Sequence, residues 1–183
     1  MKFVILDRDG TINEDRPDYI KSPEDWVPIE GSLEAIAQLN QAGWRVVVAS
    51  NQAGIGRGLF DMAALNAINA RMHKRLGAVG GRVDAVFFCP HTPEEQCRCR
   101  KPAPGLFEQI GERFNVDLSQ VPAVGDSLRD VQAGAAAGCM PHLVLTGKAA
   151  ELRGHPLPAA YPLGTQVHDS LAAFAQHLLS TVR

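Results

Sequence analysis

Short, continuously apolar runs alternate with amphipathic stretches along the chain. Five runs are typical of buried strands: residues 3–6, 46–49, 84–88, 121–124 and 142–145. Between them, apolar residues recur every three or four positions, which predicts helices at residues 32–42, 61–79, 104–114, 128–138 and 169–179. Apolar strands that alternate with helices predict an α/β fold of three layers, doubly wound around a mostly parallel sheet. Such sheets bind ligands beyond the carboxyl ends of their strands.

Carboxylates follow the first and fourth predicted strands. Asp7 and Asp9 come directly after the first, and side chains at i and i+2 point the same way in an extended backbone. Asp126 and Asp130 follow the fourth strand, one helical turn apart, so both can face one cation. Mg²⁺ would relieve their repulsion, because it prefers oxygen ligands. In the simpler interpretations, Asp9-Gly10 is a turn and Asp126 is a helix N-cap.

Polar residues also follow the second strand and precede the fourth helix. Ser50, Asn51 and Gln52 offer a hydroxyl and two amides that can hold phosphate oxygens. The glycine-rich stretch 54–58 lacks the spacing of a dinucleotide or P-loop fingerprint. Lys101 can offset both a carboxylate and a phosphate, although alone it is an ordinary surface lysine. The stronger signal is the order: acid pair, hydroxyl, lysine and acid pair, at successive strand ends.

In that order the chain resembles the haloacid dehalogenase superfamily of phosphatases. The shared motifs are DRDGT, Ser50, Lys101 and GDSLRD, over about residues 3–147. The resemblance implies a Rossmann-like core in which Asp7 attacks phosphorus and forms an aspartyl phosphate. Asp9 would protonate the leaving oxygen and then activate water. Ser50 and Lys101 would stabilise the charge of the transferring phosphoryl group.

The same resemblance implies a catalytic Mg²⁺ site. Asp7 and Asp126 would bind the ion through their side chains and Asp9 through its backbone carbonyl, with Asp130 supporting these ligands from behind. One departure concerns the residue after Asp126, where relatives often carry a lysine and this chain has Ser127. A direct cationic contact from that position is therefore not expected, and Arg57 or Lys148 could supply the charge instead.

Three of the four cysteines lie within eleven residues, in the pattern C-x-H-x(5)-C-x-C. Cys89, His91, Cys97 and Cys99 offer three thiolates and an imidazole, which suit a closed, structural Zn²⁺ site in residues 89–99. A disulfide between Cys97 and Cys99, or an accidental cluster, is the alternative. Cys139 stands apart and is expected to be an inert buried thiol.

The Cys/His loop directly before Arg100 and Lys101 narrows the resemblance to D-glycero-D-manno-heptose 1,7-bisphosphate phosphatases. It implies removal of the C7 phosphate, in nucleotide-activated heptose synthesis for lipopolysaccharide and other surface glycans. Histidinol-phosphate phosphatases carry a similar loop, so that substrate or another small phosphomonoester is the enzymatic alternative. A phospho-sensing receiver module and a zinc-loop interaction domain with a relict site are the alternatives of other classes.

The intervals between the motifs leave no room for a cap domain, so the expected site is open and shaped by loops at 14–28, 52–59 and 89–101. The family resemblance and these loops together predict the residues that contact a small phosphorylated sugar. They are Asp15, Arg16, Asp18, Tyr19, Asn51, Gln52, Arg57 and Arg100.

Chain length, net charge and the lengths of the apolar runs exclude several classes of protein. At 183 residues the chain is expected to form one phosphatase domain, 1–183, and to be a monomer. A net charge of −2 disfavours a nucleic-acid partner. No apolar run approaches the roughly 20 residues of a membrane span, and the first run is too short for a signal peptide. We therefore expect a cytoplasmic protein without a membrane partner.

Overall fold

An entirely parallel, six-stranded sheet forms the centre of the fold in a computed structural model that describes residues 1–182. The strands are β1 (Phe3–Leu6), β2 (Arg45–Asn51), β3 (Ala85–Cys89), β4 (Pro122–Gly125), β5 (Met140–Val144) and β6 (Gln166–His168). Their order is β3-β2-β1-β4-β5-β6, and each neighbouring pair is parallel. Arg183, the last residue of the predicted domain, lies outside the described residues.

Helices cover both faces of the sheet. They are α1 (Ser32–Gln41), α2 (Ala53–Gly56), α3 (Met62–Ala78), α4 (Gly105–Phe114), α5 (Leu128–Ala136) and α6 (Leu171–Thr181). Successive residues of β1 point to opposite faces: Val4 and Leu6 pack with α1, α3 and α6, whereas Phe3 and Ile5 pack with α4. Short 3-10 helices span Pro23–Asp25, Pro93–Glu95, Leu118–Gln120 and Gly147–Leu152.

The predicted α/β fold is confirmed, with one more strand than the sequence indicated. β6 was not expected, because Gln166 to His168 is a short segment without a continuous apolar run, and Val167 is exposed. Only its pairing with β5 makes it a strand. The glycine-rich stretch also differs from a plain loop, since it begins as the one-turn helix α2.

The reversal of strand order beside β1 fixes the location of the site. The chain moves from β1 to β2 and β3 on one side, and β4 then pairs with the other side of β1. A crevice opens at the carboxyl ends of strands where the order reverses in this way. The backbone N–H of Asp7 donates to the carbonyl of Val124 at 2.9 Å, which places Asp7 at this crevice.

A firmly anchored loop, residues 14–28, stands beside the crevice. Its base is closed by hydrogen bonds from Glu14 N to Val27 O (2.8 Å) and from Ile29 N to Ile12 O (2.9 Å). Its Trp26 side chain is fully buried in the core. As predicted, this loop and not a cap domain borders the site within residues 1–182. In the same residues, no helix is both long and apolar enough to cross a membrane.

Three histidines pack together where β5, β6 and α6 meet. His142 Nδ1 and His168 Nε2 are 2.9 Å apart, and the His168 and His177 rings lie 5.1 Å apart. Burial, with the neighbouring histidines, lowers the pKa of His142 to about 4, and burial with His177 does the same for His168. Both are therefore neutral in the folded protein at pH 6.

This cluster predicts a loss of stability in mild acid. Unfolded histidines titrate near 6.5, so the unfolded chain takes up protons first and the free energy of unfolding falls as the pH drops from about 6.5 towards 4. We expect His142→Leu to reduce this slope by up to about 1.4 kcal/mol per pH unit, measured by denaturant unfolding at pH 7, 6 and 5. The exposed His155 offers the control His155→Leu. An unchanged slope in His142→Leu contradicts the prediction.

Candidate active site

Three carboxylates and one ammonium group meet beyond β1 and β4. Asp7, Asp126 and Asp130 each place a carboxylate oxygen within 4.8 Å of the others. Lys101 Nζ lies 2.9 Å from Asp7 Oδ1 and 2.7 Å from Asp130 Oδ1, and it donates to the carbonyl of Ala49 at 2.8 Å. The side chain of Lys101 is almost completely buried. One cation thus balances part of the charge of three acids.

The charges of this cluster favour the binding of a second cation besides Lys101. Burial and the charge of Asp130 raise the pKa of Asp7 well above its usual range and that of Asp126 to about 6. Burial disfavours the charged form of Lys101, but Asp130 and Asp7 outweigh it and raise the pKa of that ammonium group. Clustered carboxylate oxygens with excess negative charge are the donors that Mg²⁺ prefers. The residues therefore fit a magnesium ion.

Two glycines allow the backbone to wrap closely around Asp126. Gly10 has φ = +89°, and a Cβ there would collide with the Asp126 carboxylate. A Cβ on Gly147 would collide with the same group. Asp126 is oriented by Thr11 Oγ1, which donates to Oδ1 at 3.3 Å, and by the backbone N–H of Lys148, which donates to Oδ2 at 2.9 Å. Its carboxylate is therefore fixed before any ligand binds.

Asp9 lies in a different environment from Asp7. The fully buried Arg8 donates to both Asp9 oxygens, at 2.8 and 3.2 Å, and Asn13 Nδ2 donates to Oδ1 at 3.0 Å. Gln52 Nε2 donates to Asp9 Oδ2 at 3.2 Å and to Ser50 Oγ at 2.7 Å. Burial raises the pKa of Asp9, but Arg8 and these hydrogen bonds outweigh it and lower the pKa. Asp9 is therefore ionised at neutral pH.

The backbone of Lys101 is tied to the end of β2. Asn51 Nδ2 donates to the Lys101 carbonyl at 3.1 Å, and the Lys101 N–H donates to Asn51 Oδ1 at 3.0 Å. One residue earlier, the N–H of Arg100 donates to Cys97 Sγ at 3.3 Å. The position of Lys101 thus depends on β2 and on the Cys/His loop.

The Cys/His loop brings its four candidate ligands together. Cys89 Sγ lies 3.5 Å from Cys97 Sγ and 3.0 Å from Cys99 Sγ, and His91 Nδ1 lies 3.4 and 3.3 Å from Cys89 and Cys99. Cys97 and Cys99 are not a disulfide, because their sulfurs are 3.6 Å apart. Zinc–sulfur bonds of about 2.3 Å give sulfur–sulfur edges near 3.8 Å, close to two of these three separations. Cys139 is separate and buried, and burial raises its pKa to about 12.

A cavity of about 720 Å³ opens over the acid cluster. Its walls come from the loop 14–28, the ends of β1, β2 and β4, the start of α5 and the segment after β5. Four cationic side chains besides Lys101 line it: Arg16, Arg100, Arg129 and Lys148. A volume of this size is typical of a small-molecule site. The combination of acids below and cations around the walls suits an anionic ligand with a metal ion.

Comparisons with known proteins agree with this geometry. Residues 98–173 match a family model described as HAD-hydrolase-like. A D-glycero-beta-D-manno-heptose-1,7-bisphosphate 7-phosphatase of Bordetella bronchiseptica is 54% identical over 98% of both chains, and one of Pseudomonas aeruginosa is 51% identical over 97% of both. The crystal structure of D,D-heptose 1,7-bisphosphate phosphatase from B. bronchiseptica, complexed with magnesium and phosphate, superposes with a TM-score of 0.95, at 53% identity and full coverage of both chains.

The chain belongs to the heptose 1,7-bisphosphate phosphatase family of the haloacid dehalogenase superfamily. The family resemblance inferred from the motifs is thereby confirmed. In this family member the acid cluster occupies the crevice where the strand order reverses, as the α/β fold predicts.

Most of the predicted site residues line the cavity of this phosphatase. They are Asp7, Asp9, Asp15, Arg16, Tyr19, Asn51, Arg100, Lys101, Asp126 and Asp130. Ser50 and Gln52 lie buried behind Asp9 and do not line it. Asp18 pairs with Arg16 at 3.0 Å, outside the lining, and Arg57 is exposed elsewhere. The N-cap of α5 is Ser127 and not Asp126, since Asp130 Oδ2 accepts from Ser127 N and Oγ.

Three residues of the site were missed from the sequence. Arg8 and Asn13 hold the Asp9 carboxylate, and Arg129 lines the cavity at the start of α5. The only signal for Arg8 in the sequence is a cation between two acids, Asp7-Arg8-Asp9, because opposite charges that lie close together attract. For Asn13 the signal was absent, because its contact depends on the turn at Gly10.

The hydrogen bonds around Asp9 give a direct prediction. Gln52→Leu removes a donor to the ionised carboxylate, so we expect the pKa of Asp9 to rise, as read from its side-chain carboxyl ¹³C shift during a pH titration. Gln120→Leu, at an exposed position of the same residue type, serves as the control. If Asp9 titrates identically in Gln52→Leu and the native protein, Gln52 does not tune this group.

Proposed function

We propose that the protein is a Mg²⁺-dependent phosphatase that removes the C7 phosphate of D-glycero-D-manno-heptose 1,7-bisphosphate, in the synthesis of nucleotide-activated heptose for surface glycans. The observation that carries the proposal is the buried Asp7–Lys101–Asp130 network with Asp126, beneath a cavity lined by cations. Relatives that are heptose-1,7-bisphosphate 7-phosphatases match the chain over nearly its full length, at 54% and 51% sequence identity. We infer from this that one domain, 1–183, carries the whole activity.

Asp7 is the proposed nucleophile. It attacks phosphorus, the bond from phosphorus to the sugar oxygen breaks, and an aspartyl phosphate forms. Lys101 holds Oδ1 of Asp7 at 2.9 Å, which restricts the orientation of the attacking carboxylate. The ammonium group also lies beside the equatorial phosphoryl oxygens as negative charge spreads over them.

Asp9 is the proposed acid and base. Its low pKa leaves it ionised before substrate binds, and an approaching phosphate dianion opposes that charge and favours proton uptake. Asp9 then gives the proton to the leaving sugar oxygen. In the second half-reaction the restored carboxylate takes a proton from water as the water oxygen bonds to phosphorus. The bond from phosphorus to the Asp7 oxygen breaks, which frees Asp7 and releases inorganic phosphate. Ser50 and Gln52 act as positioning residues, through the hydrogen bond from Gln52 to Asp9.

Mg²⁺ would be held by the side chains of Asp7 and Asp126 and by the carbonyl of Asp9. When bound, the ion offsets negative charge on the phosphoryl oxygens and favours the ionised form of Asp7. Asp130 stays tied to Lys101 at 2.7 Å, which leaves it to support the site from behind. Lys101 balances only part of the negative charge of the three carboxylates. The proposed magnesium ion would balance the rest.

The proposed sugar contacts come from the cavity walls. Asp15, Arg16, Tyr19, Asn51 and Arg100 line it and offer both donors and acceptors to sugar hydroxyl groups. Asp18 acts indirectly, since it holds the Arg16 guanidinium at 3.0 Å. An open site of this kind admits a polar sugar phosphate without a moving cap.

The Cys/His loop is proposed to hold one structural Zn²⁺ through Cys89, His91, Cys97 and Cys99. Four protein ligands leave no position for substrate, so the ion would stabilise the loop and not take part in the reaction. Because Arg100 N–H donates to Cys97 Sγ, a folded loop fixes the approach to Lys101.

We expect about one zinc per chain in the purified protein, measured by elemental analysis. Cys97→Ser should lower the zinc content and reduce kcat at least about tenfold, because Arg100 and Lys101 lose their anchor. Cys139→Ala is the matched control, since it removes a buried thiol outside the cluster and should retain zinc. Full activity in zinc-free Cys97→Ser protein would exclude this role.

The proposed function is tested by comparing kcat/KM on heptose 1,7-bisphosphate and on histidinol phosphate, each with Mg²⁺ or with excess chelator. We expect a clear preference for the bisphosphate, loss of activity with chelator, and a product that keeps its C1 phosphate in the ³¹P NMR spectrum. Asp7→Asn should reduce kcat on the order of 10⁴-fold or more, since it removes the nucleophile. A preference for histidinol phosphate would indicate the sister activity, and stoichiometric phosphorylation without turnover would indicate a receiver module.

A further inference from the structure

Arg8 is a buried cation whose guanidinium group donates to two side chains among the described residues. The edge formed by Nε and Nη2 faces Asp9 and donates to its two oxygens, at 2.8 and 3.2 Å. The Nη1 atom donates to Asn69 Oδ1 at 3.1 Å. The Arg8 side chain is fully buried, and a buried charge is tolerated only when its donors are paired. Asp9 and Asn69 together therefore fix the orientation of the guanidinium group.

Asn69 lies in the middle of α3, far along the chain from Arg8. The helix is held firmly, because Asp61 caps its first turn and Ile68 and Met72 are fully buried in the core. Asparagine is unfavourable in the interior of a helix, since its amide competes for hydrogen bonds with the backbone. A partly buried asparagine here indicates a contact outside the helix, and that contact is Arg8.

The backbone of Arg8 is fixed by the turn that follows β1. Its carbonyl accepts from the N–H groups of Ile12 and Asn13, at 2.8 and 3.3 Å. The same turn brings Asn13 Nδ2 to Asp9 Oδ1 at 3.0 Å. Arg8 is therefore held at its backbone by the turn and at the tip of its side chain by α3.

Proton transfer requires one orientation of the Asp9 carboxyl group. A general acid must lie within hydrogen-bond reach of the oxygen that it protonates, and a displacement of about 1 Å can cost about 100-fold in rate. The Asp9 side chain is 20% exposed, so it reaches the cavity while its oxygens stay bonded to Arg8. Any freedom of the Arg8 guanidinium group would be passed on to this carboxyl group.

We propose that Asn69 is a positioning residue for the reaction: it holds Arg8, which holds the Asp9 carboxyl group in the orientation for proton transfer. This inference rests on the proposed function, because that function makes Asp9 the acid and base. Asn69 is absent from the lining of the main cavity, so it acts through Arg8 and not by contact with the substrate.

The test compares a substrate whose leaving group needs a proton with one whose leaving group does not. The sugar oxygen of heptose 1,7-bisphosphate is a strong base unless it is protonated, whereas nitrophenolate leaves p-nitrophenyl phosphate without protonation. We expect Asn69→Leu to lower kcat/KM about tenfold on the bisphosphate and by no more than about twofold on p-nitrophenyl phosphate. Because kcat/KM covers the steps up to departure of the leaving group, it isolates the acid role of Asp9 from its later role as a base.

Three further variants complete the experiment. Asn66→Leu makes the same change at an exposed position of α3 and should leave both kcat/KM values unchanged. Asn69→Asp keeps an oxygen acceptor for Arg8, so it should retain at least about a third of the native kcat/KM on the bisphosphate. Arg8→Met tests the route, because its combination with Asn69→Leu should lose no more activity than Arg8→Met alone.

An equal loss on both substrates in Asn69→Leu overturns the inference, because a general disturbance of the fold has that effect. No loss on the bisphosphate, an equally large loss in Asn69→Asp, or additive losses in the double variant also overturn it. The contrast between the two substrates decides the matter even where Arg8→Met does not fold. A native protein that prefers histidinol phosphate overturns the proposed substrate instead, and this outcome is measured before any variant is compared.

Discussion

The ion pairs made by the buried ammonium of Lys101 are the constraint on which the rest of the site depends. An isolated charge at this depth would be strongly unfavourable, and so would the carboxylates around it. Together with Asp7, Asp130 and the Ala49 carbonyl, the ammonium joins the ends of β1 and β2 to the start of α5. The sheet crevice is therefore held together by the same charges to which the proposed mechanism assigns the chemistry.

The pKa values of Asp7 and Asp9 are shifted in opposite directions, because the two carboxylates have different neighbours. Burial and two neighbouring acids raise the pKa of Asp7. Asp9 is also buried, but donors from Arg8, Asn13 and Gln52 outweigh that effect and lower its pKa. Two residues of one type, two positions apart, thus become a group whose charged form is disfavoured and a group that is charged at neutral pH. In the proposed mechanism, environment and not residue identity separates the nucleophile from the acid and base.

The sequence predicted those parts of the site that lie next to strands. Asp7, Asp126 and the helices and strands around them follow from local periodicity and from the rule for parallel sheets. β6 was missed, because its strand character comes from its neighbour β5 and not from its own residues. Arg129 was also missed, since a cation two residues into a helix is ordinary until the cavity wall shows which groups face it. Long-range contacts leave little trace in a local pattern.

In the loop 14–28, the residues that anchor the loop in the fold are different from the exposed residues at its tip. Trp26 and the hydrogen bonds at the loop base hold the segment in place, so the exposed side chains at its tip are not part of the hydrophobic core. Substitutions at that tip can therefore accumulate without loss of the fold or of the acid cluster beneath. Over evolutionary time such a loop lets one hydrolytic centre be redirected to new phosphorylated metabolites by point changes alone, without the gain or loss of a domain.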